Sequence, residues 1–446
     1  MAQEDTVRSA SGHRHDRSSH LTLDPHVETL PLPPSRWRDD VSRKVVLRRL
    51  RDLKRGRLEL IEGDKRFVGG SAADETSATI RVLHPRFYLR VIRGGSLGLA
   101  EAYLDGDWSS ENVTAVLRLF LQNLSWSEEV ERQRSWASAL WSRLTHFQRR
   151  NTVAHSRRNI QEHYDLGNEF FRLFLDDTMT YSCGIFERPD SSMRDASVAK
   201  IDRACRKLQL TPEDHLLEIG TGWGACAIHA AREFGCRVTT TTISQQQFAV
   251  ARERIAAAGL SDRIQLVLED YRHLQGQYSK LISIEMIEAV GHEFLPTYFR
   301  KCYELLQPTG MMLLQGIVMC EQGYSQYLRT VDFIQKHVFP GGCLTSVGAI
   351  TDAVRRSTDM RLLHLEDLAP HYARTLANWR EQFLRRLSDV KALGYSDRFV
   401  RMWNYYLCYC QAAFDERYIG TVQMLLARSE SRHDPLAASL PGVVTP

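Results

Sequence analysis

No run of about 18 apolar residues occurs in the 446-residue chain, so no membrane-crossing helix is expected. The opening stretch MAQEDTVRSASGHRHDR lacks the apolar core of a secretory leader, and a cytoplasmic location is the expectation. Cysteine is sparse. The nine cysteines are odd in number and scattered, and only Cys408 and Cys410 sit close together. That pattern fits reduced thiols better than a disulfide framework or a zinc site, and no metal is expected. With 27 glycines and 14 prolines the chain is too poor in both for a collagen-like or low-complexity protein. No internal repeat is visible.

Charge is present in both signs but unevenly placed. Residues 1–160 hold 27 Lys+Arg against 20 Asp+Glu, a net of +7, whereas the remainder holds 31 against 34. A basic front on a nearly neutral body suggests an anionic partner, a nucleic acid or a membrane surface. Residues 1–34 are rich in His, Arg, Ser and Pro without an apolar period and read as a disordered tail. Residues 35–125 mix a basic helical stretch (DDVSRKVVLRRL) with strand-like pieces (LELIEG, SATIRVL, FYLRVI) and a turn at Gly94-Gly95, which reads as a small α+β domain. Over 126–160 an amphipathic helical linker is expected. There Val130 is followed seven residues on by Ala137, and Ala137, Leu140, Trp141, Leu144 and Phe147 recur at steps of three or four among arginines. Such a face suits an anionic bilayer, or the covering of a core. Residues 161–430 form the main domain and 431–446 a C-terminal tail.

From about residue 195 strands and helices alternate. HLLEIG, RVTTTTI, IQLVLE, KLISIE and MMLLQGIV read as strands, with helical stretches between them. This alternation predicts an α/β domain built on a mostly parallel, doubly wound sheet. The strongest local signal is LLEIGTGWG, residues 216–224. Gly220, Gly222 and Gly224 follow a buried strand at every second position. Glycine there lets the backbone turn sharply and approach a ligand. The spacing differs from the G-x-G-x-x-G dinucleotide pattern. It is the form that resembles class I S-adenosylmethionine-dependent methyltransferases. The second strand ends in TTTTIS with no acidic residue to hold a ribose.

The flanking segments sharpen the resemblance. HYDLGNEFFRLFLDDTMTYSCGIF (163–186), TISQQQ (242–247), DYRHL (270–274), EMIEAVG (285–291), FPGGCL (339–344) and the tail YYLCYCQAAFDERYIGTVQMLLAR resemble the cyclopropane-fatty-acyl-phospholipid synthase family, which includes the mycolic acid cyclopropane synthases. GGSLGLAEAYLDGDW in the front segment is similar to long bacterial members. The resemblance runs in order over about residues 85–430. It implies a class I, Rossmann-like methyltransferase domain behind a lipid-handling N-terminal domain. It implies S-adenosylmethionine as cofactor and the cis double bond of a phospholipid acyl chain as acceptor. It also implies a bicarbonate ion as the base.

Carried over by this resemblance, Tyr181, Ser182, Gly220, Gly222, Gly224, Thr242, Gln247, Asp270 and Tyr271 fall on cofactor positions. Thr242 and Gln247 would stand in for the missing acid. Cys183, Glu288 and Tyr372 fall on bicarbonate positions, with Glu288 accepting the ion's hydroxyl proton. Cys410 matches a tail cysteine once given a catalytic role, although an alkene attacking a sulfonium needs no thiol. Two departures stand out. Ala289 replaces a histidine in EMIEAVG, and Gln315 replaces a histidine in MLLQGIV. Glutamine donates and accepts hydrogen bonds but takes no positive charge. A looser ion or a changed base follows, and with it a cyclopropane, methyl-branched or methylene product.

Two other functions fit the same fold: a methyltransferase for a small soluble nucleophile, and a catalytically silent lipid-binding protein. The intact glycine loop and Glu288 favour an enzyme. The expected partners are a membrane phospholipid and an anionic inner membrane face, not nucleic acid, and a homodimer is allowed.

Overall fold

The computed structural model describes Leu23 and residues 32–71, 76–123 and 166–432. The helical linker expected at 126–160 lies outside the described residues, as does nearly all of both expected tails.

The front segment carries four strands: β1 (Arg57–Glu62), β2 (Lys65–Gly70), β3 (Ser77–Val82) and β4 (Trp108–Ser109), in the order β2-β1-β3-β4. Alternate apolar residues build it. Leu58 and Leu60 of β1 and Ala78, Ile80 and Val82 of β3 are buried, as a half-covered sheet requires. Helices Trp37–Leu50, Arg86–Leu104 and Val113–Gln122 complete this part. FYLRVI, expected as a strand, is helical and begins Arg86–Leu104. Its aromatic residues favour strand, but burial of Phe87 and Tyr88 beside Trp108 overrides that preference. The Gly94-Gly95 break is a kink inside this helix. Gly95 has φ 57° and ψ −134°, a conformation open chiefly to glycine.

The second sheet has seven strands: β5 (His215–Ile219), β6 (Arg237–Thr242), β7 (Ile264–Leu268), β8 (Tyr278–Ile284), β9 (Leu306–Met319), β10 (Arg361–Asp367) and β11 (Ile419–Ala427). Their order is β10-β11-β9-β8-β5-β6-β7. β5 to β9 run parallel, while β11 is antiparallel to both β9 and β10. The expected mostly parallel α/β sheet is present. Its central strands are buried on both faces. Leu217, Leu281 and Leu314 pack under helices Leu295–Leu305 and Val347–Ser357. Leu216, Ile282 and Leu313 pack under Met193–Lys207 and Ala225–Glu233.

Helices Ala369–Arg385 and Asp397–Asp415 lie outside this three-layer stack, packed on one another. The second of them also meets the front segment. Asn404 donates to the Tyr103 hydroxyl at 2.8 Å, and Arg401 donates to the Tyr103 and Trp108 carbonyls at 2.8 and 3.1 Å. Tyr103, Trp108, Trp403 and Tyr405 belong to one continuous buried cluster. The front segment and the large sheet thus share apolar packing.

Candidate active site

The glycine loop leaves β5 after Ile219. Gly220, Gly222 and Gly224 all have positive φ, at 102°, 53° and 90°. The loop is tied to β6 because the N–H groups of Gly220 and Thr221 donate to the Thr241 carbonyl at 3.1 and 3.0 Å. A Cβ at Gly222 would meet nothing of the chain within 4 Å. The space there is open to a ligand. Gly224 serves differently: it caps the following helix and its α-carbon faces Ala251, so it turns the chain instead of lining the cavity.

A cavity of about 470 Å³ opens at the carboxyl ends of β5, β6 and β8. Tyr181, Ser182, Gly220, Gly222, Thr242, Gln247, Asp270 and Tyr271 line it, as do Glu288, Tyr372 and Cys410. Gly224, Cys183 and Gln315 do not reach its surface. Thr242 donates to the Gln247 side chain at 3.0 Å, and both are buried. This polar pair stands where an acid was missing. Asp270 is held by Arg272 at 2.7 Å. Burial opposes its ionisation, but the Arg272 hydrogen bonds outweigh it and keep the carboxyl below its usual range. Under the loop, Glu218 accepts from the Thr240 hydroxyl at 2.6 Å, and burial pushes its carboxyl up to about 7.

Glu285, not singled out in the sequence, is the hub of the site. It lies just past β8 with φ 50°, a strained conformation for a residue with a side chain. Its carboxylate accepts from the Cys183 N–H at 3.0 Å, the Gln315 amide at 2.8 Å and the Tyr372 hydroxyl at 2.6 Å. Cys183 and Tyr372 are two of the three groups expected to hold bicarbonate, and Gln315 stands at the position of the replaced histidine. The ion does not fit, because the chain's own carboxylate already takes the donors. Glu288 does not join that set. Its Oε1 accepts from the Ile317 N–H at 2.5 Å, and its Oε2 is buried with no partner. Burial, with the Glu285 charge beside it, pushes Glu288 up to about 8, so it is largely protonated at neutral pH. Burial raises Glu285 as well, and its three donors oppose that shift by favouring the charged form.

The two cysteines are inert. Cys183 is fully buried, with its thiol held far above the usual range by burial and then by the Glu285 charge. Burial pushes the Cys410 thiol up as well. Neither is a thiolate, so Cys183 contributes its backbone and Cys410 a piece of wall. The remaining wall is aromatic. The Tyr181 and Tyr406 hydroxyls lie 2.8 Å apart, Tyr181 packs 5.1 Å from Trp379, and Tyr372 stacks on Phe414 at 4.5 Å. The arrangement is a polar ligand end joined to an aromatic-walled chamber that holds Glu285.

A family model for mycolic acid cyclopropane synthetase matches residues 151–424, more than half of the chain. The chain belongs to this family. The tuberculostearic acid methyltransferase of Mycobacterium tuberculosis is 38% identical over 379 residues, covering 83% of this chain and 88% of that protein. The cyclopropane-fatty-acyl-phospholipid synthase of Escherichia coli is 36% identical over 366 residues, covering 81% and 90%. The solved structure of mycolic acid cyclopropane synthase CmaA1 complexed with SAH and CTAB has a TM-score of 0.57 and 31% identity, covering 61% of this chain and 98% of that one. As a member of the family the protein is an S-adenosylmethionine-dependent methyltransferase that modifies lipids, on a class I α/β fold. The open space at Gly222 and the Thr242–Gln247 pair fit that cofactor. Among the described residues no helix is long and apolar enough to cross a membrane.

Proposed function

We propose that this enzyme transfers the methyl of S-adenosylmethionine to the cis double bond of a phospholipid acyl chain, with the Glu285 carboxylate as base. The observation that carries this reading is the set of three hydrogen bonds that holds one buried carboxylate beside the glycine-loop cavity. Bound S-adenosylmethionine supplies an electrophilic methyl. The alkene's electron pair forms the new carbon–carbon bond as the sulfur–methyl bond breaks, leaving a cation on the adjacent chain carbon. The faces of Tyr181, Tyr372 and Tyr406 attract that charge. The dry wall keeps out water, which would trap the cation as an alcohol. Glu285 then takes a proton from the transferred methyl.

If the freed pair closes onto the cation, the product is a ring. If a hydride first shifts from the methyl-bearing carbon, the product is a methylene branch. The branched product is proposed on the higher identity to the tuberculostearic acid methyltransferase, and the Escherichia coli relative supports the ring as the second reading. The proposed partner is an anionic membrane face, toward which the +7 front segment would be drawn.

Lipid mass spectrometry of cells expressing wild type or Glu285→Gln tests the reading. The wild type should add one CH2 to unsaturated chains, with fragmentation separating ring from branch, and should be indifferent to bicarbonate. Glu285→Gln should lose about 10²–10⁴-fold in rate while S-adenosylhomocysteine affinity holds. A wild type that requires bicarbonate, or a fully active Glu285→Gln, would overturn it.

A further inference from the structure

Lys200 stands on the helix Met193–Lys207 with 1% exposure, one of the most deeply buried charged side chains described. It lines the cavity beside Ser182, Glu218 and the glycine loop. Its ammonium donates to the Ser182 hydroxyl at 2.9 Å. Among the described residues it forms no ion pair; burial lowers its pKa, and the charges of Glu285 and Glu218 oppose that shift. An ammonium carries three donors and a hydroxyl one. Because Ser182 accepts from Lys200, its own O–H is free to donate elsewhere. The pair therefore presents several donors and a positive charge to one side of the cavity. A buried, unpaired cation is costly unless something pairs it.

The cofactor has one anionic group, the α-carboxylate of its amino-acid end. Its sulfonium and ammonium are repelled by Lys200, and its adenine and ribose are neutral. Topology separates the two ends of the cavity. Asp270 follows β7 at one edge of the sheet, whereas Lys200 reaches Ser182, whose neighbour Cys183 donates to Glu285 just past β8. We propose that Lys200 and Ser182 together form the receptor for the α-carboxylate of S-adenosylmethionine.

Calorimetry on the full chain tests this with two ligands: S-adenosylhomocysteine, and its analogue that lacks only the carboxylate. Wild type should prefer the first by about 10- to 100-fold, the worth of a hydrogen bond to a charged group. Lys200→Met should erase most of that preference by weakening S-adenosylhomocysteine alone. Ser182→Ala should erase part of it, and Lys200→Gln, which keeps an amide donor at the same place, serves if the Met variant fails to fold. A variant that weakens both ligands by the same factor would make Lys200 only an internal counter-ion to Glu218 and Glu285, and would overturn the proposal. So would a variant that weakens neither.

Discussion

Glu288 makes a sharp statement about protonation. Its carboxyl is held at about 8 by burial and by Glu285, against an ordinary value of 4.5. The folded protein therefore binds a proton that the unfolded chain releases between about pH 4.5 and 8. Stability from this group is fully present below about pH 4.5 and is lost as pH rises through about 8. Glu218, raised to about 7, acts in the same direction. Thermal denaturation should show a melting temperature that falls from pH 5 to pH 8.5. Glu288→Gln should flatten that slope by an amount on the order of a few kcal/mol over the window. An unchanged slope would mean that Glu288 is not protonated in the fold.

At the scale of elements, the helix Trp37–Leu50 carries an unusual face. Trp37, Val41 and Val45 are 70%, 54% and 38% exposed and lie four residues apart, so they share one stripe. Arg38 sits over the Trp37 ring, and Lys44 and Arg48 are exposed beside the stripe. Apolar and basic groups together match the interface of an anionic bilayer. Trp37→Ser combined with Val41→Ser should weaken co-sedimentation with phosphatidylglycerol vesicles roughly tenfold through lost apolar burial, without altering S-adenosylhomocysteine affinity. Equal binding of the variant and wild type would exclude this helix from the contact. The basic stretch itself was legible in the sequence, as were the alternating strands, because period and charge are local properties. The FYLRVI helix was not, since only its packing on Trp108 decides it. The site followed the same division. The glycine loop was readable from its spacing, and its polar partners followed from the family resemblance. Glu285 opens the EMIEAVG segment, but nothing in the spacing or the missing histidines at 289 and 315 marks an acid there as a site residue. Only the fold shows that Gln315, Tyr372 and Cys183 converge on it.

For the whole molecule, the decisive feature is the shared core between the front segment and the helix Asp397–Asp415. Tyr103 is 1% exposed, bonded to Asn404, and covered by Arg401 at 4.6 Å from its ring centroid. The kinked helix that carries Tyr103 also sends Ser96 to the cavity wall. Tyr103→Ala should cost about 3–5 kcal/mol, the range for removing a buried aromatic. Because its contacts span both parts, calorimetry should show a single melting transition displaced downward. Two separated transitions would mean that the two parts fold independently.

The backbone at Glu285 has one more consequence. A φ of 50° is uncomfortable for glutamate and easy for glycine. Glu285→Gly would relax the chain and leave a hole faced by the Cys183 N–H, the Tyr372 hydroxyl and the Gln315 amide. Those donors would then be orphaned around a space shaped for a small carboxylate. The variant should be dead in plain buffer and respond to formate, acetate or bicarbonate by chemical rescue, with an exogenous anion taking over as base. The enzyme with a built-in acid and one that borrows its base from solution would then differ by a single residue. Such a substitution would also place the reaction under the control of dissolved carbonate.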